Sequence, residues 1–152
     1  MRYFEDLIEG EERLSDAREV GEAELLDFAR SYDPQYFHAD PRAATGSIFG
    51  GLIASGIFTM AVWRQLDHRI CGDIAWICGV AWDDVRFPNP VRPGDALRAR
   101  ARCLSKRPSH KDSRRGVVVF EYTVLNQRAE TVFTCRSTNL VERRPAGADQ
   151  SS

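Results

Sequence analysis

The segment that most constrains the fold is a run of apolar and small residues that follows the glycine pair Gly50-Gly51. From Leu52 to Val62 the side chains are apolar or small nearly all round a helix, and the segment has no Lys or Arg until Arg64. A helix without a polar face cannot lie at a solvated surface and must be buried. We therefore predict a central helix that begins near Gly51, ends at about His68 and is enclosed by the rest of the chain.

The sequence after this helix is typical of β-strands. Residues Ile74 to Trp82 are mostly apolar, as expected for a strand covered on both faces, whereas Leu97 to Cys103 alternate strictly. Two further strands, Val117 to Leu125 and Thr131 to Val141, are joined by a loop of hairpin length. The alternating strand carries Arg98, Arg100 and Arg102 on one face, which predicts that this face is solvated. A basic strip that binds a phosphate-rich ligand is the weaker interpretation of the three arginines.

The elements before the central helix complete the predicted fold. Residues Glu22 to Arg30 have helical apolar spacing with acids in the first turn. Pro34 disfavours helical geometry at Asp33, so we expect an ordered loop from there through Pro41. Helices followed by antiparallel strands, with one helix apolar all round, indicate an α+β domain in which a curved antiparallel sheet wraps the central helix. Because such a sheet has open edges, we expect a homodimer.

Length and composition indicate one soluble domain. The chain of 152 residues can bury one proper core, and we expect a single domain over residues 1–142. Residues 143–152 lack large apolar side chains, which predicts a disordered tail. The net charge of −1 favours neither nucleic acid nor an anionic membrane as a partner. No segment approaches the length of a membrane span. The four cysteines are too irregularly spaced for a zinc site, so we expect them to be buried free thiols. We expect the protein to be located in the cytoplasm.

Chemistry is indicated by a carboxylate and an imidazole on one short segment, Asp33 to His38. Either residue alone is more often structural, since an Asp can cap a turn and a lone His is usually a surface or packing residue. Together, and close to the glycine pair that opens the predicted helix, they form an acid/base pair beside free backbone N–H groups. Asp40, just before Pro41, is expected only to bond local backbone and fix the loop.

The chain resembles the MaoC-like dehydratases, the hot-dog-fold group that includes the (R)-specific enoyl-CoA hydratases. The resemblance runs from about Tyr3 to Val141 and rests on Asp33 to Asp40, Phe49 to Gly56, the turn Phe87 to Asp95 and the order of elements. Asp33 and His38 have the separation of the hydratase motif Asp-x-Asn-Pro-x-His. Between them the chain departs from it, since Gln35 replaces the Asn and the proline stands at Pro34. Relatives often carry His at the position of Phe58.

The resemblance implies reversible, (R)-specific hydration of a trans-2-enoyl thioester of CoA or acyl carrier protein, without a metal or cofactor. Asp33 and His38 would hold the water, take its proton and return a proton to the α-carbon. The N–H of Gly51, placed at the positive end of the central helix, would bond the thioester oxygen. Substrate contacts are expected at Phe49, Gly50 and Thr59, the last at the place of a pocket serine.

Two alternatives remain open at this point. The first is an acyl-CoA thioesterase on the same fold; such enzymes usually carry the catalytic acid on or beside the central helix, where Gly51 to Gln65 has neither Asp nor Glu. The second is a non-catalytic subunit that binds acyl thioesters, which retention of both Asp33 and His38 argues against.

Overall fold

The computed structural model of the chain describes residues 1–147, and a six-stranded antiparallel sheet dominates it. The sheet order is β1-β4-β5-β6-β3, and β2 also pairs with β4. The strands are β1 Glu12–Leu14, β2 Arg18–Glu19, β3 Trp76–Arg86, β4 Ala96–Pro108, β5 Arg115–Leu125 and β6 Thr131–Glu142. The predicted α+β hot-dog architecture is confirmed, with the long central helix packed inside the curved sheet.

The helices all precede β3 in the chain. After a 3-10 turn at Phe4–Asp6 they are α1 Glu22–Tyr32, α2 Tyr36–Ala39, α3 Pro41–Ala44 and α4 Gly56–Cys71. The ordered loop predicted from Asp33 through Pro41 is therefore wrong in detail, because Tyr36–Ala39 forms the short helix α2 and α3 already begins at Pro41. The Asp40 carboxylate caps α3 by accepting from the N–H groups of Arg42 and Ala43, which confirms its structural role.

The core lies between α4 and the inner face of the sheet. The indole of Trp63 is fully buried and meets Tyr122 of β5 and Phe133 of β6 at ring-centroid distances of 5.0 and 5.1 Å. Small alternating residues of β4 complete this surface, while the arginines between them stay exposed, as predicted. Burying one large aromatic side chain of this kind stabilises a fold by about 3 kcal/mol. The central helix is thus held by packing rather than by its own propensity.

One edge of the sheet differs from its prediction. The sequence predicts that the apolar strand β3 is covered on both faces, yet within residues 1–147 it pairs only with β6 and is mostly exposed. Its exposed apolar side chains are Ile77, Val80, Trp82 and Val85, and Phe87 follows directly after it. An apolar strand pattern predicts that a strand is covered, and the described residues of this chain do not provide that cover.

The C-terminal segment bonds to the N-terminus at two arginines. Arg143 Nε donates to Glu5 Oε1 at 2.8 Å, and Arg144 Nη2 donates to Asp6 Oδ1 at 2.6 Å. Arg143 and Arg144 therefore belong with the folded domain rather than with the tail predicted from residue 143. Residues 148–152 of that predicted tail lie outside the described residues.

Candidate active site

The Asp33 side chain is placed by the end of α1. Asp33 is the C-cap of that helix, and its N–H donates to the Ala29 carbonyl at 2.8 Å while its backbone already has the non-helical values φ −150° and ψ 71°. Pro34 follows, so the chain leaves the helix where the sequence predicted. Phe28 of α1 packs on Phe58 of α4 at 5.4 Å between ring centroids, which brings the end of α1 close to the start of the central helix.

The His38 imidazole is held by the main chain. His38 lies in α2, and its Nδ1 is 2.9 Å from the carbonyl oxygen of Ile53. A carbonyl oxygen only accepts, so Nδ1 carries the hydrogen in this bond and the other ring nitrogen, Nε2, is free for chemistry. The Ile53 N–H in turn donates to the Phe37 carbonyl at 3.0 Å. Two bonds therefore tie the His38 segment to the residues before α4.

The two side chains face each other as predicted. His38 Nε2 lies 3.7 Å from Asp33 Oδ2, and the side chains are 7% and 22% exposed. This separation exceeds a direct hydrogen bond. Asp33 Oδ2 instead accepts a hydrogen bond of 2.7 Å from Ser55 Oγ, and Gln35 Nε2 lies 3.5 Å from the other carboxylate oxygen. The two side chains are thus held in place by other partners, are partly accessible to solvent, and do not hydrogen-bond each other directly.

The central helix begins five residues later than predicted. Its N-cap is Ser55, whose Oγ accepts from the Ile57 N–H at 3.2 Å, and its first residue is Gly56. Leu52 to Ala54 are not helical, and the Ile53 and Ala54 N–H groups bond to the carbonyls of Phe37 and Val91, outside the helix. The expectation that Gly51 opens the helix is therefore wrong. Among residues 1–147, no oxygen accepts from the N–H of Gly56.

Asp33, His38 and the start of α4 meet at a cavity of about 540 Å³. Of the residues predicted from the sequence, Asp33, His38, Phe49 and Thr59 line it; within the described chain, Gly50 and Gly51 do not. Thr59 is buried, and its hydroxyl lies 3.5 Å from the Ser55 carbonyl. The other lining residues are mainly apolar and comprise Ile53, Ala54, Gly56, Ile57, Met60, Phe87, Pro88, Asn89, Pro90, Val91 and Val132.

The glycine pair has a structural setting of its own. Gly50 adopts φ +68°, a left-handed conformation that favours glycine. Arg92 Nη2 donates to the Phe49 carbonyl at 2.8 Å, and a Cβ on Gly51 would lie 3.7 Å from Arg92 Nη1. Gly51 therefore sits beside the Arg92 side chain. Through this hydrogen bond, Arg92 of the proline-rich turn holds the Phe49 main chain next to the cavity.

Sequence reasoning missed Ser55, Gly56 and Phe87 as site residues. The signal for the first two was present, because a Ser directly before a helix is a preferred N-cap. Phe87 gave no such signal: it follows an edge strand, and its ring would meet a Cβ on Gly56 at 2.9 Å. This close approach explains why a glycine stands at the start of α4.

An acid on α4 lies in a different cavity. Asp67 is buried, and its Oδ2 accepts from Arg64 Nη1 at 2.8 Å. Both residues line a separate space of about 240 Å³ under β3, together with Trp82. Asp67 is thus not a member of the Asp33–His38 site.

Within the described residues, no group of three or more His, Cys, Asp or Glu side chains is arranged to hold a metal ion. In the same part of the chain, no helix combines the length and apolar character that crossing a membrane requires.

Comparison with known proteins identifies the family. The family described as MaoC like domain matches residues 4–125. The chain belongs to the MaoC-like dehydratase family. A MaoC-like dehydratase from Rhodospirillum rubrum superposes with a TM-score of 0.89 at 37% identity, over 95% of this chain and 99% of that one. The uncharacterised protein YdeM of Bacillus subtilis is 32% identical over 82% of this chain and 87% of its own length.

A more distant solved structure shares the fold. The R-hydratase PhaJ1 from Pseudomonas aeruginosa superposes with a TM-score of 0.72 at 22% identity, over 99% of this chain and 95% of that one. At this identity the likeness concerns the fold.

Proposed function

We propose that this MaoC-like protein hydrates a trans-2-enoyl thioester reversibly to the (R)-3-hydroxyacyl thioester. The observation that carries the proposal is the facing of Asp33 Oδ2 and His38 Nε2 across 3.7 Å in a largely apolar cavity beside the start of α4. Membership of the MaoC-like dehydratase family supports the reaction class. We propose acyl-CoA or acyl carrier protein thioesters as the substrates.

The geometry suits activation of one water molecule. With its hydrogen on Nδ1, His38 presents a lone pair at Nε2, and an ionised Asp33 also only accepts. Two acceptors at this separation do not bond each other, but both accept from a water between them. The water loses a proton to the pair as its oxygen adds to the β-carbon, and a proton from the pair goes to the α-carbon. Water is consumed and both catalytic groups return to their starting state.

The negative charge that develops on the thioester oxygen needs a hydrogen-bond donor. We assign this role to the N–H of Gly56 in place of Gly51, since Gly56 is the first residue of α4 and lines the cavity. The positive end of a helix favours such charge, and one oxyanion donor typically contributes about a hundredfold or more to turnover. The absence of a side chain at Gly56 leaves room for the thioester beside Phe87.

We further propose that the protein acts as a homodimer joined along β3. This strand has one unpaired edge and a row of exposed apolar side chains, among them Val80, 60% exposed, and Trp82, 47% exposed. Pairing the edges of two copies would satisfy the free backbone groups and cover the apolar row.

The four cysteines of the described chain form no disulfide, which supports our proposal of a cytoplasmic location.

The alternatives differ from hydration at defined residues. A thioesterase with its acid on the central helix would use Asp67, but this carboxylate is buried against Arg64 in another cavity. A subunit that only binds acyl thioesters would not need Asp33 and His38 to face each other. Neither alternative is favoured by an observation of its own.

One assay separates the three functions. A short trans-2-enoyl-CoA such as crotonyl-CoA is supplied, and both the conjugated-enoyl absorbance and free thiol are followed. Loss of absorbance without thiol release is expected for hydration. Thiol release would instead indicate a thioesterase, and binding without either signal would indicate a non-catalytic subunit.

A further inference from the structure

Ser55 links the start of the central helix to the catalytic carboxylate. It is completely buried, and its Oγ donates to Asp33 Oδ2 at 2.7 Å while accepting from the Ile57 N–H at 3.2 Å. A hydroxyl has one hydrogen to donate. The Ile57 N–H donates to Oγ and needs no hydrogen from Ser55. The single hydroxyl hydrogen of Ser55 therefore goes to Asp33 Oδ2.

The oxygen that Ser55 holds is the one that faces the imidazole. Asp33 Oδ2 is both the acceptor from Ser55 and the atom 3.7 Å from His38 Nε2. The remaining contact of the carboxylate is the long one of 3.5 Å from the exposed Gln35 to Oδ1. The rotation of the Asp33 carboxylate about its last bond therefore depends mainly on Ser55.

Resting on the proposed hydration, we infer that Ser55 is a positioning residue: its hydroxyl fixes Asp33 Oδ2 toward His38 Nε2, and couples the positive end of α4 to the carboxylate through the bonds Ile57 N–H to Ser55 Oγ to Asp33. Chains of hydrogen bonds polarise one another, so the donor to Asp33 is strengthened by the helix end. Ser55 acts through Asp33 and needs no contact with the substrate.

Capping and positioning are separable by the choice of substitution. Ser55→Ala removes the cap and the donor, whereas Ser55→Gly removes the donor but remains a good N-cap. Hydrogen bonds to charged groups are strong enough that either variant should lose roughly ten- to a hundredfold in kcat. The thermal midpoint should fall more for Ala than for Gly. Equal loss of kcat in both, with unequal loss of stability, is the expected result.

Ser15 provides a matched control. It is also buried, and its Oγ accepts from the Ala99 N–H at 2.9 Å, but it lies outside the cavity. Ser15→Ala should lower stability and leave kcat unchanged. A similar loss of kcat in Ser15→Ala would mean that turnover follows stability alone and would overturn the positioning role.

A double-mutant cycle tests whether Ser55 works through Asp33. In an Asp33→Asn background, Ser55→Ala should cause almost no further loss of kcat, because the group it positions is already gone. The dissociation constant of a saturated acyl-CoA should stay unchanged in all four proteins. The same fold-loss in both backgrounds would overturn the inference.

Crystal structures of the wild type and Ser55→Gly test the inference independently of the reaction. The Asp33 carboxylate should rotate in the variant and change the Oδ2 to Nε2 separation from its native 3.7 Å. An unmoved carboxylate refutes positioning by Ser55 even if hydration is observed. A rotated carboxylate in a protein that hydrates no enoyl-CoA refutes the proposed function and leaves the positioning contact established.

Discussion

Asp33 Oδ2 and His38 Nε2 lie 3.7 Å apart and share no hydrogen bond. Each is already fixed by another partner, Ser55 for the carboxylate and the Ile53 carbonyl for the imidazole. The site therefore holds two proton acceptors at a distance that a water molecule bridges. This arrangement suits a reaction in which water is a substrate.

The first prediction concerns the two acceptors. Asp33→Asn and His38→Ala should each reduce kcat for crotonyl-CoA by about a hundredfold or more, because a general acid or base typically contributes that much. Both variants should keep the wild-type circular dichroism spectrum. Near-normal turnover in either protein would remove that residue from the mechanism.

The second prediction compares two glycines. A Cβ on Gly56 would lie 2.9 Å from the Phe87 ring, whereas one on Gly51 would make an ordinary contact of 3.7 Å with Arg92. Gly56→Ala should therefore depress kcat by roughly tenfold or more through the displaced thioester, and Gly51→Ala should not. Adding Phe87→Leu to Gly56→Ala removes the clash with the Phe87 ring. Any loss of kcat that remains in the double variant is then due to the altered position of the Gly56 N–H donor. A larger effect at Gly51 would return the oxyanion role to that residue.

The stereochemistry of the product is the third prediction. Hydration of crotonyl-CoA should yield the (R)-3-hydroxy product, detected by chiral chromatography after hydrolysis of the thioester. An (S) product would contradict the proposed orientation of substrate between the acid/base pair and the helix start, although the fold would stand.

The fourth prediction concerns assembly. Val80→Lys places a charge in the exposed apolar row of β3 and should convert a dimer into monomers, as lysine does on natural sheet edges. Ile8→Lys is the matched control, since Ile8 is also exposed but lies outside the sheet. Sedimentation velocity at micromolar concentration measures both. A wild-type monomer, or dimers in Val80→Lys, would exclude β3 as the interface.

The fifth prediction concerns the thiols. Burial raises the pKa of Cys71 and that of Cys135 to about 12, and it also raises the pKa of Cys103. Since the thiolate is the reactive form, these three should resist a thiol reagent in mildly alkaline buffer. At most one thiol per native chain, the exposed Cys78, should react, and all four should react after denaturation. Rapid labelling of Cys71 or Cys135 would contradict their burial.

The sequence predicts the fold and the proximity of Asp33 and His38, but it misplaces the start of α4. The proximity of the two side chains was predictable because the residues are close in sequence. The run Leu52 to Ala54 misled, because buried non-helical chain and buried helix are equally apolar. What distinguishes them is the acceptor of each N–H, here Phe37 for Ile53 and Val91 for Ala54, and such distant partners leave no mark on local sequence.

The apolar strand β3 shows a second limit of sequence reasoning. Its composition indicated cover on both faces, and the single chain leaves it exposed. A pattern of apolar residues predicts that a strand is covered. It does not tell whether the covering surface belongs to the same chain.

The bond between His38 Nδ1 and the Ile53 carbonyl separates what the main chain and the side chain of residue 53 do. The carbonyl belongs to the main chain and persists whatever side chain residue 53 carries, while the Ile53 side chain itself lines the cavity. In the proposed reaction, the size and shape of the cavity wall could thus vary at this position while the tautomer of the histidine stays fixed. Substitution at residue 53 would then be a route to other acyl groups that leaves the proposed proton transfers intact.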